Sequence, residues 1–254
     1  MKKYKGYLID LDGTLYRGNE IIPEAVEFIA SLDQMGLRYL FLTNNSSQTP
    51  AQVAKRLQKF GFPAREDQVY TSALATAAYL KDTLGSPSVF VIGEEGLKKA
   101  IIEANCLMTE QNPEAVVVGI DREFSYEKMK KACLFIRQGA QFIGTNPDKA
   151  LPTEEGLLPG AGSLIQAIAM ATGVNPKIIG KPESIIIHYA LKALGTTSGE
   201  TLIVGDNLET DILAGVKAKI DTLLVLSGVT TMDIANQSEI KPKYQVVTLR
   251  EWKL

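Results

Sequence analysis

The chain has 254 residues, 45% of them hydrophobic and 22% charged, which is enough apolar material for one large core or two modest ones. Its 27 basic and 29 acidic side chains nearly cancel. A nucleic-acid backbone is therefore excluded as the first expectation for a partner, because no basic excess is present to neutralise it.

Lys2, Lys3 and Lys5 precede only a short apolar run before Asp10, too brief for a signal-peptide core or a membrane span. The expectation is a cytoplasmic protein with no membrane partner. Cys106 and Cys133 have neither metal-ligand spacing nor a disulfide framework and read as reduced core residues. The single histidine, His188, sits in the helical pattern IIIHYALKAL, so any bound metal must rely on oxygen ligands.

Taken in chain order, apolar runs of strand length alternate with helical patterns, which predicts the α/β class with a parallel sheet. Gly6 to Ile9 is the first predicted strand; a helix follows from Pro23 towards Met35, with Gly36 as its stop signal, and then a strand at Arg38 to Leu42. Thr49 and Pro50 open a helix with Val53, Leu57 and Phe60 on one face. Strands are predicted at Ser88 to Ile92, Ala115 to Val118 and Gln141 to Ile143, with helices near Gly96 to Asn105, Tyr126 to Gln138 and Ser163 to Thr172. This middle stretch has the makings of a separate domain. The earlier pattern is expected to resume with a strand at Ile178-Ile179, a helix from Glu183 to Leu194 and a strand at Thr201 to Val204. A helix near Thr210 to Lys217 and strands at Thr222 to Leu226 and Tyr244 to Val247 complete it.

Polar clusters follow four of these strands, where open α/β sheets place their ligands: Asp10 to Thr14, Thr43 to Ser46, Gly180 to Pro182, and Gly205 to Asn207 with Asp211 beyond. If these converge, Asp10, Asp12 and Asp206 crowd like charges, and two such charges about 4 Å apart repel by roughly 4 kcal/mol at an effective dielectric of about 20. A divalent cation resolves the repulsion. The oxygen-only donor set points to Mg²⁺, which keeps waters for a phosphate to replace. Lys181 adds a fixed positive charge, and Thr43 and Asn44 offer donors for the oxygens of a transferring phosphoryl group. Asp10 can attack phosphorus to form an aspartyl phosphate, and Asp12, two residues on, can act as acid and base. Gly13 allows the tight turn between them and Thr14 holds it. Tyr16 and Arg17 belong either to a flap near the site or to surface packing. Asp211 either meets a metal-bound water, orients Lys181 or favours a helix N-terminus, and a role behind the direct metal ligands is preferred.

In that order the motifs D-x-D-G-T, T-N, K-P and G-D-x-x-x-x-D resemble those of haloacid dehalogenase-like hydrolases over nearly the whole chain. The segments DLDGTLYRG, FLTNNSS, GTNPD, PGAGS, IGKP and VGDNLETDILAG are similar to the NagD-like branch, which includes 4-nitrophenyl phosphatases. The resemblance implies a doubly wound, Rossmann-like parallel-sheet core with an inserted α/β cap domain. It implies Asp10 as nucleophile, Asp12 as acid/base, and Mg²⁺ on the Asp10 carboxylate, the Asp12 carbonyl and Asp206. Lys181 and Thr43 would stabilise the phosphoryl group.

The short interval from Thr14 to Thr43 leaves no room for an early cap, whereas the long one from Asn44 to Lys181 does. The expected division is a core of 1–79 and 180–254 around a cap of 80–179. Asn146 and Asp148 in the cap, with Asn44, Asn45 and Asn207, form the expected substrate-binding set, Asn45 through its backbone. The expected partner is a small phosphorylated metabolite, either a sugar phosphate or a nucleotide monophosphate; family caps sometimes dimerise, so a homodimer is within the expectation. A phosphotransferase with the same intermediate and a non-catalytic metabolite-binding protein are the alternatives. The second loses ground because the nucleophile and the metal carboxylates are both present.

Overall fold

The protein is described here from a computed structural model that covers residues 2–153 and 155–254. Its chain divides into two compact units: one holds the sequence up to Thr43, Pro50–Tyr70 and Lys181–Leu254, the other Asn44–Thr49 and Thr71–Gly180.

The first unit begins with β1 (Gly6–Ile9), a hairpin of β2 (Tyr16–Arg17) and β3 (Glu20–Ile21), α1 (Pro23–Gln34), β4 (Arg38–Thr43), α2 (Pro50–Lys59) and β5 (Val69–Thr71). The second contains α3 (Ser72–Leu84), β6 (Ser88–Ile92), α4 (Glu95–Glu103), β7 (Leu107–Met108), β8 (Ala115–Val118), α5 (Tyr126–Arg137) and β9 (Gln141–Gly144). It is completed by the antiparallel pair β10 (Ala150–Thr153) and β11 (Gly156–Pro159), then α6 (Ala161–Thr172) and β12 (Lys177–Ile178). The chain returns to the first unit through α7 (Ser184–Leu194), β13 (Thr201–Gly205), α8 (Leu213–Ala218), β14 (Asp221–Val225), α9 (Met232–Gln237) and β15 (Tyr244–Val246).

The sheet of the first unit has the order β15-β14-β13-β1-β4-β5, with β1 parallel to both β13 and β4. Parallel strands covered on both faces must be apolar throughout, and β1 and β13 obey: every residue of GYLI and TLIVG is buried. In α1, Pro23 occupies the first turn, where its missing N–H is no loss, and Ala25, Phe28, Ile29 and Leu32 bury one face. These side chains join Ile9, Phe41, Val204 and Leu223 in one hydrophobic cluster.

The second unit repeats the principle on its own sheet, of order β12-β9-β8-β6-β7, whose four strand pairings are all parallel. Val116, Val118, Phe142, Ile165 and Ile168 lie in its core. The compact units part at Tyr70–Thr71, ahead of α3, and 44–49 belongs with the second unit.

The Ile178 segment belongs to the second unit's sheet: Lys177 pairs with Ile143 and Ile178 with Gly144, which makes β12 an edge of it. Hydrogen bonds from Ile179 N to Gly144 O (3.0 Å) and Gly180 N to Thr145 O (2.8 Å) extend the match to Gly180. A short apolar pair carries no record of which sheet it will join, because burial suits either. Both cysteines are free and buried, His188 lies on an exposed face of α7, and no described helix is long and apolar enough to cross a membrane.

Candidate active site

Asp10 is the first residue beyond β1, and its N–H still bonds to Val204 O at 2.9 Å, which fixes it at the carboxyl edge of the sheet. The chain then turns sharply: Leu15 N reaches Leu11 O at 2.8 Å and Gly13 N reaches Tyr16 O at 2.7 Å. Gly13 has φ +84°, and a Cβ there would fall 2.2 Å from Asp206 Oδ2. Conformation and space both demand glycine. Thr14 is fully buried, with its hydroxyl 3.5 Å from Asp10 Oδ2.

Lys181 is 2% exposed, and its ammonium group lies 2.5 Å from Asp10 Oδ1, 2.6 Å from Asp211 Oδ1 and 3.4 Å from Leu42 O. Asp211 is held in turn by its other oxygen, which accepts from Asn207 N at 3.1 Å. A wide turn over Leu208–Ile212 presents it: Asp211 N and Ile212 N both donate to Asn207 O. Asp206 follows β13 and accepts from Val229 N through Oδ2 at 2.6 Å.

Carboxylate oxygens of Asp10, Asp206 and Asp211 lie within 4.8 Å of one another. Burial pushes the Asp10 carboxyl well above the usual carboxylate range, and the Asp211 charge adds to this, against the pull of Lys181. Asp206 is raised to about 7 by burial and then by Asp211, with the Val229 N–H opposing. For Lys181, burial favours the neutral form, but Asp10 and Asp211 outweigh it and hold the ammonium charged. Three acids thus face one cation, a deficit of positive charge that hard carboxylate oxygens and a divalent ion remedy together. The residues fit such a metal. Asp10 and Asp206 are the direct candidates, while both oxygens of Asp211 are already engaged by Lys181 and Asn207.

Asp12 stands outside this buried cluster. Its side chain is exposed, yet partial desolvation raises its pKa, opposed by the Gly18 amide and by Arg56. Arg56 also lies over the Tyr16 ring at 4.8 Å and donates to Gly18 O at 3.0 Å. Of the two flap residues, Tyr16 is a packed core residue and Arg17 donates through Nε to Ser227 O. Thr43 ends β4, half-buried.

The remaining predicted residues fall into other places. Asn207 caps its own turn, accepting from Glu209 N at 2.9 Å. Within the second unit, Asn45 Oδ1 accepts from Ser47 N, Ser47 Oγ and Gln48 N, a local loop cap. In the same unit Asn44 Nδ2 donates to both Asp148 oxygens at 3.1 and 3.3 Å, and Asn146 is buried with its amide bonded to Asn44 O. Sequence reasoning missed Ser227-Gly228-Val229. A Cβ on Gly228 would lie 2.0 Å from Asp206 Oδ2, and Ser227 Oγ donates to Gly13 O at 2.8 Å, so this loop walls the Asp206 carboxylate. The available signal was the Ser-Gly pair directly after the apolar run ending at Leu226.

With the geometry in view, the likenesses of the chain become informative. A parallel α/β sheet with aspartates at the ends of two adjacent strands and a buried lysine between carboxylates defines a hydrolase architecture. Residues 7–106 match the haloacid dehalogenase-like hydrolases and residues 178–252 a HAD-hydrolase-like family. The chain is 53% identical to the 5′-nucleotidase YutF of Bacillus subtilis (strain 168), over 99% of this chain and 98% of that one. It is 42% identical to an acid sugar phosphatase of Staphylococcus aureus (strain USA300), over 99% and 97%. Among solved structures, NagD from E. coli K-12 superposes with a TM-score of 0.94 at 37% identity, over 99% of each chain. The chain belongs to the haloacid dehalogenase-like hydrolases, in the NagD-like branch.

The missed loop yields a test. Gly228→Ala must displace the Asp206 carboxylate or the loop itself, and we expect the divalent-metal concentration for half-maximal turnover to rise at least about tenfold, equivalent to about 1.4 kcal/mol, with the circular dichroism spectrum unchanged. Unaltered metal dependence would remove Gly228 from the site.

Proposed function

We propose that this phosphoric monoester hydrolase acts on sugar phosphates or nucleotide monophosphates, and on 4-nitrophenyl phosphate, through an aspartyl-phosphate intermediate on Asp10. The observation that carries the reading is the buried ammonium group of Lys181, 2.5 Å from the Asp10 carboxylate at the carboxyl end of β1. The activities in the names of the two curated relatives, a 5′-nucleotidase and an acid sugar phosphatase, support the substrate classes.

Asp10 attacks phosphorus through a carboxylate oxygen while the ester oxygen departs. Asp12, with its raised pKa, donates a proton to that oxygen; it then takes a proton from the water that attacks the phosphorus of the acyl phosphate and returns Asp10 as the free carboxylate. Lys181 and Thr43 stabilise the charge on the equatorial oxygens. Asp10, the Asp12 carbonyl and Asp206 would hold Mg²⁺, with Asp211 behind them fixing Lys181. When bound, the ion neutralises charge on the phosphoryl oxygens and on the crowded carboxylates. Asn44 and Asp148, hydrogen-bonded to each other, are assigned to recognition of the organic group, with Asn45 contributing backbone groups and Asn207 completing the set. A cytoplasmic location, with Cys106 and Cys133 reduced, is part of the proposal.

Purified protein with Mg²⁺ is expected to hydrolyse 4-nitrophenyl phosphate, with activity lost in excess chelator and in Asp10→Asn, whose amide is a far poorer nucleophile. Near-normal turnover by that variant would place the reaction on another residue. For Asp12→Asn the loss should grow as the leaving group becomes more basic across a series of aryl and alkyl phosphates; equal losses throughout would sink the acid role. The pH dependence of metal affinity has a fixed sign. Asp206 takes up a proton as pH falls through about 7 and so loses the charge that attracts the ion, and more Mg²⁺ should be needed for half-maximal activity at pH 6 than at pH 8. A requirement that is flat or reversed over that range contradicts it.

A further inference from the structure

The hairpin that follows Asp12 is gripped from a helix to which the chemistry above gives no task. In α2, Val53, Ala54 and Leu57 are buried, and Arg56 stands beside them, half-buried. Its guanidinium lies over the Tyr16 ring at 4.8 Å from the centroid and over the Phe60 ring at 5.5 Å, and the two rings are 5.0 Å apart. The same group donates through Nη2 to Gly18 O at 3.0 Å. A flat cation can cover aromatic rings and still present N–H groups from its edge; the compact ammonium group of a lysine offers no such plane.

Both residues held in this way bear on Asp12, and all of them belong to the first unit. Tyr16 O accepts from Gly13 N at 2.7 Å, and Asp12 and Tyr16 form an isolated β-bridge. Gly18, at φ +58° in the turn between β2 and β3, donates its N–H to the Asp12 carboxylate. Arg56 therefore holds the carbonyl of the very residue whose amide meets the acid. Arg17, between Tyr16 and Gly18, is tied through Nε to Ser227 O. Asp12 itself is exposed, so packing does not set where its carboxylate points, and the hairpin does.

We propose that Arg56 is a positioning residue for the acid and base work of Asp12: from α2 it clamps Tyr16 and Gly18 and so keeps the Gly18 N–H against the Asp12 carboxylate. The inference rests on the role given above to Asp12, which hands its proton to the ester oxygen as the bond to phosphorus breaks. A general acid contributes about a hundredfold or more to such a step, and a displacement of about 1 Å in a group that meets the reacting atoms costs up to about a hundredfold in rate.

The test measures kcat/KM, with Mg²⁺ present, for phosphomonoesters running from 4-nitrophenyl phosphate to alkyl phosphates. This ratio covers binding and ester cleavage but not the later hydrolysis of the acyl phosphate, so it reads the proton given to the leaving oxygen. Arg56→Met keeps an unbranched apolar stem beside Tyr16 and Phe60 and removes the guanidinium. We expect a loss of about ten- to a hundredfold with alkyl phosphates and of at most about threefold with 4-nitrophenyl phosphate, whose leaving oxygen needs little protonation. Arg56→Lys keeps the charge without the planar fork and should show the same trend at smaller amplitude; it decides the matter if Arg56→Met does not fold. Added to Asp12→Asn, Arg56→Met should cost less than about twofold more, because the group it positions is already disabled. Losses that are equal for all esters, losses that multiply fully in the double variant, or wild-type behaviour of the folded Arg56 variants would overturn the proposal. A loss in Asp12→Asn that ignores the leaving group would remove the acid role and this inference with it, whereas a steep dependence in Asp12→Asn beside unchanged Arg56 variants overturns the inference alone.

Discussion

A lysine ammonium withdrawn from water between Asp10 and Asp211 is the constraint around which the first unit is organised. Taking one partner away from a buried ion pair typically costs about 3–5 kcal/mol, because the other charge is left uncompensated. Lys181 therefore cannot be held in place by any one residue: Asp10 comes from the end of β1, Asp211 from the turn after β13, and the backbone acceptor Leu42 O from β4. Ile9 is level with Phe41 on one side and Val204 on the other, and this register brings the three strand ends to the same height. Asp206 completes the group and tips its charge towards the negative. The same surplus that raises the carboxylate pKa values makes the cluster a place for a divalent cation.

Space around these charges is defined by what is missing from the backbone. Gly13 and Gly228 both lie against Asp206 Oδ2, and a side chain on either would crowd that oxygen. Hydrogen bonds then fix the loops that carry them: Ser227 Oγ to Gly13 O, Val229 N to Asp206 Oδ2, and Thr230 N to Asp206 O at 3.3 Å. Asp12 has a different character: it is exposed and outside the cluster, with Arg56 and the Gly18 amide facing it, so two aspartates only two positions apart in the chain have different surroundings. Different surroundings of that kind are what lets two aspartates do different chemistry.

The second unit deals with its polar groups in another way. Its core cluster is built from Val116, Val118, Phe142, Ile165 and their neighbours, and the hydroxyls and amides of Ser46, Ser72, Thr145 and Asn146 are hydrogen-bonded among themselves or to backbone. Buried polar groups left unpaired would cost about 1–3 kcal/mol each, so a network satisfied in this way specifies a single arrangement of the loops it joins. Asn146 illustrates the consequence: its amide bonds to Asn44 O and Thr145 Oγ1 and accepts from Asp148 N.

Several features were legible in the sequence. The buried strands GYLI and TLIVG, the Pro23 and Pro50 helix starts, and Asp10, Lys181, Asp206 and Asp211 could be placed at element ends, because periodicity and punctuation are local properties of the chain. An oxygen-only donor set for any metal was legible as well, since one histidine and two isolated cysteines leave no other donors. Other features were decided only by the tertiary structure. Ile178 could have joined either sheet until its register with Gly144 assigned it; α3 belongs to one unit or the other by what it packs against; and Gly228 matters because of an aspartate 22 positions earlier in sequence that lies against it in space. Asn146 is a polar residue on paper, and only the fold shows that it is buried and hydrogen-bonded to Asn44 and Asp148. The reason is the same each time: sequence patterns report what a residue offers, and only three-dimensional neighbours determine whether that offer has already been taken up.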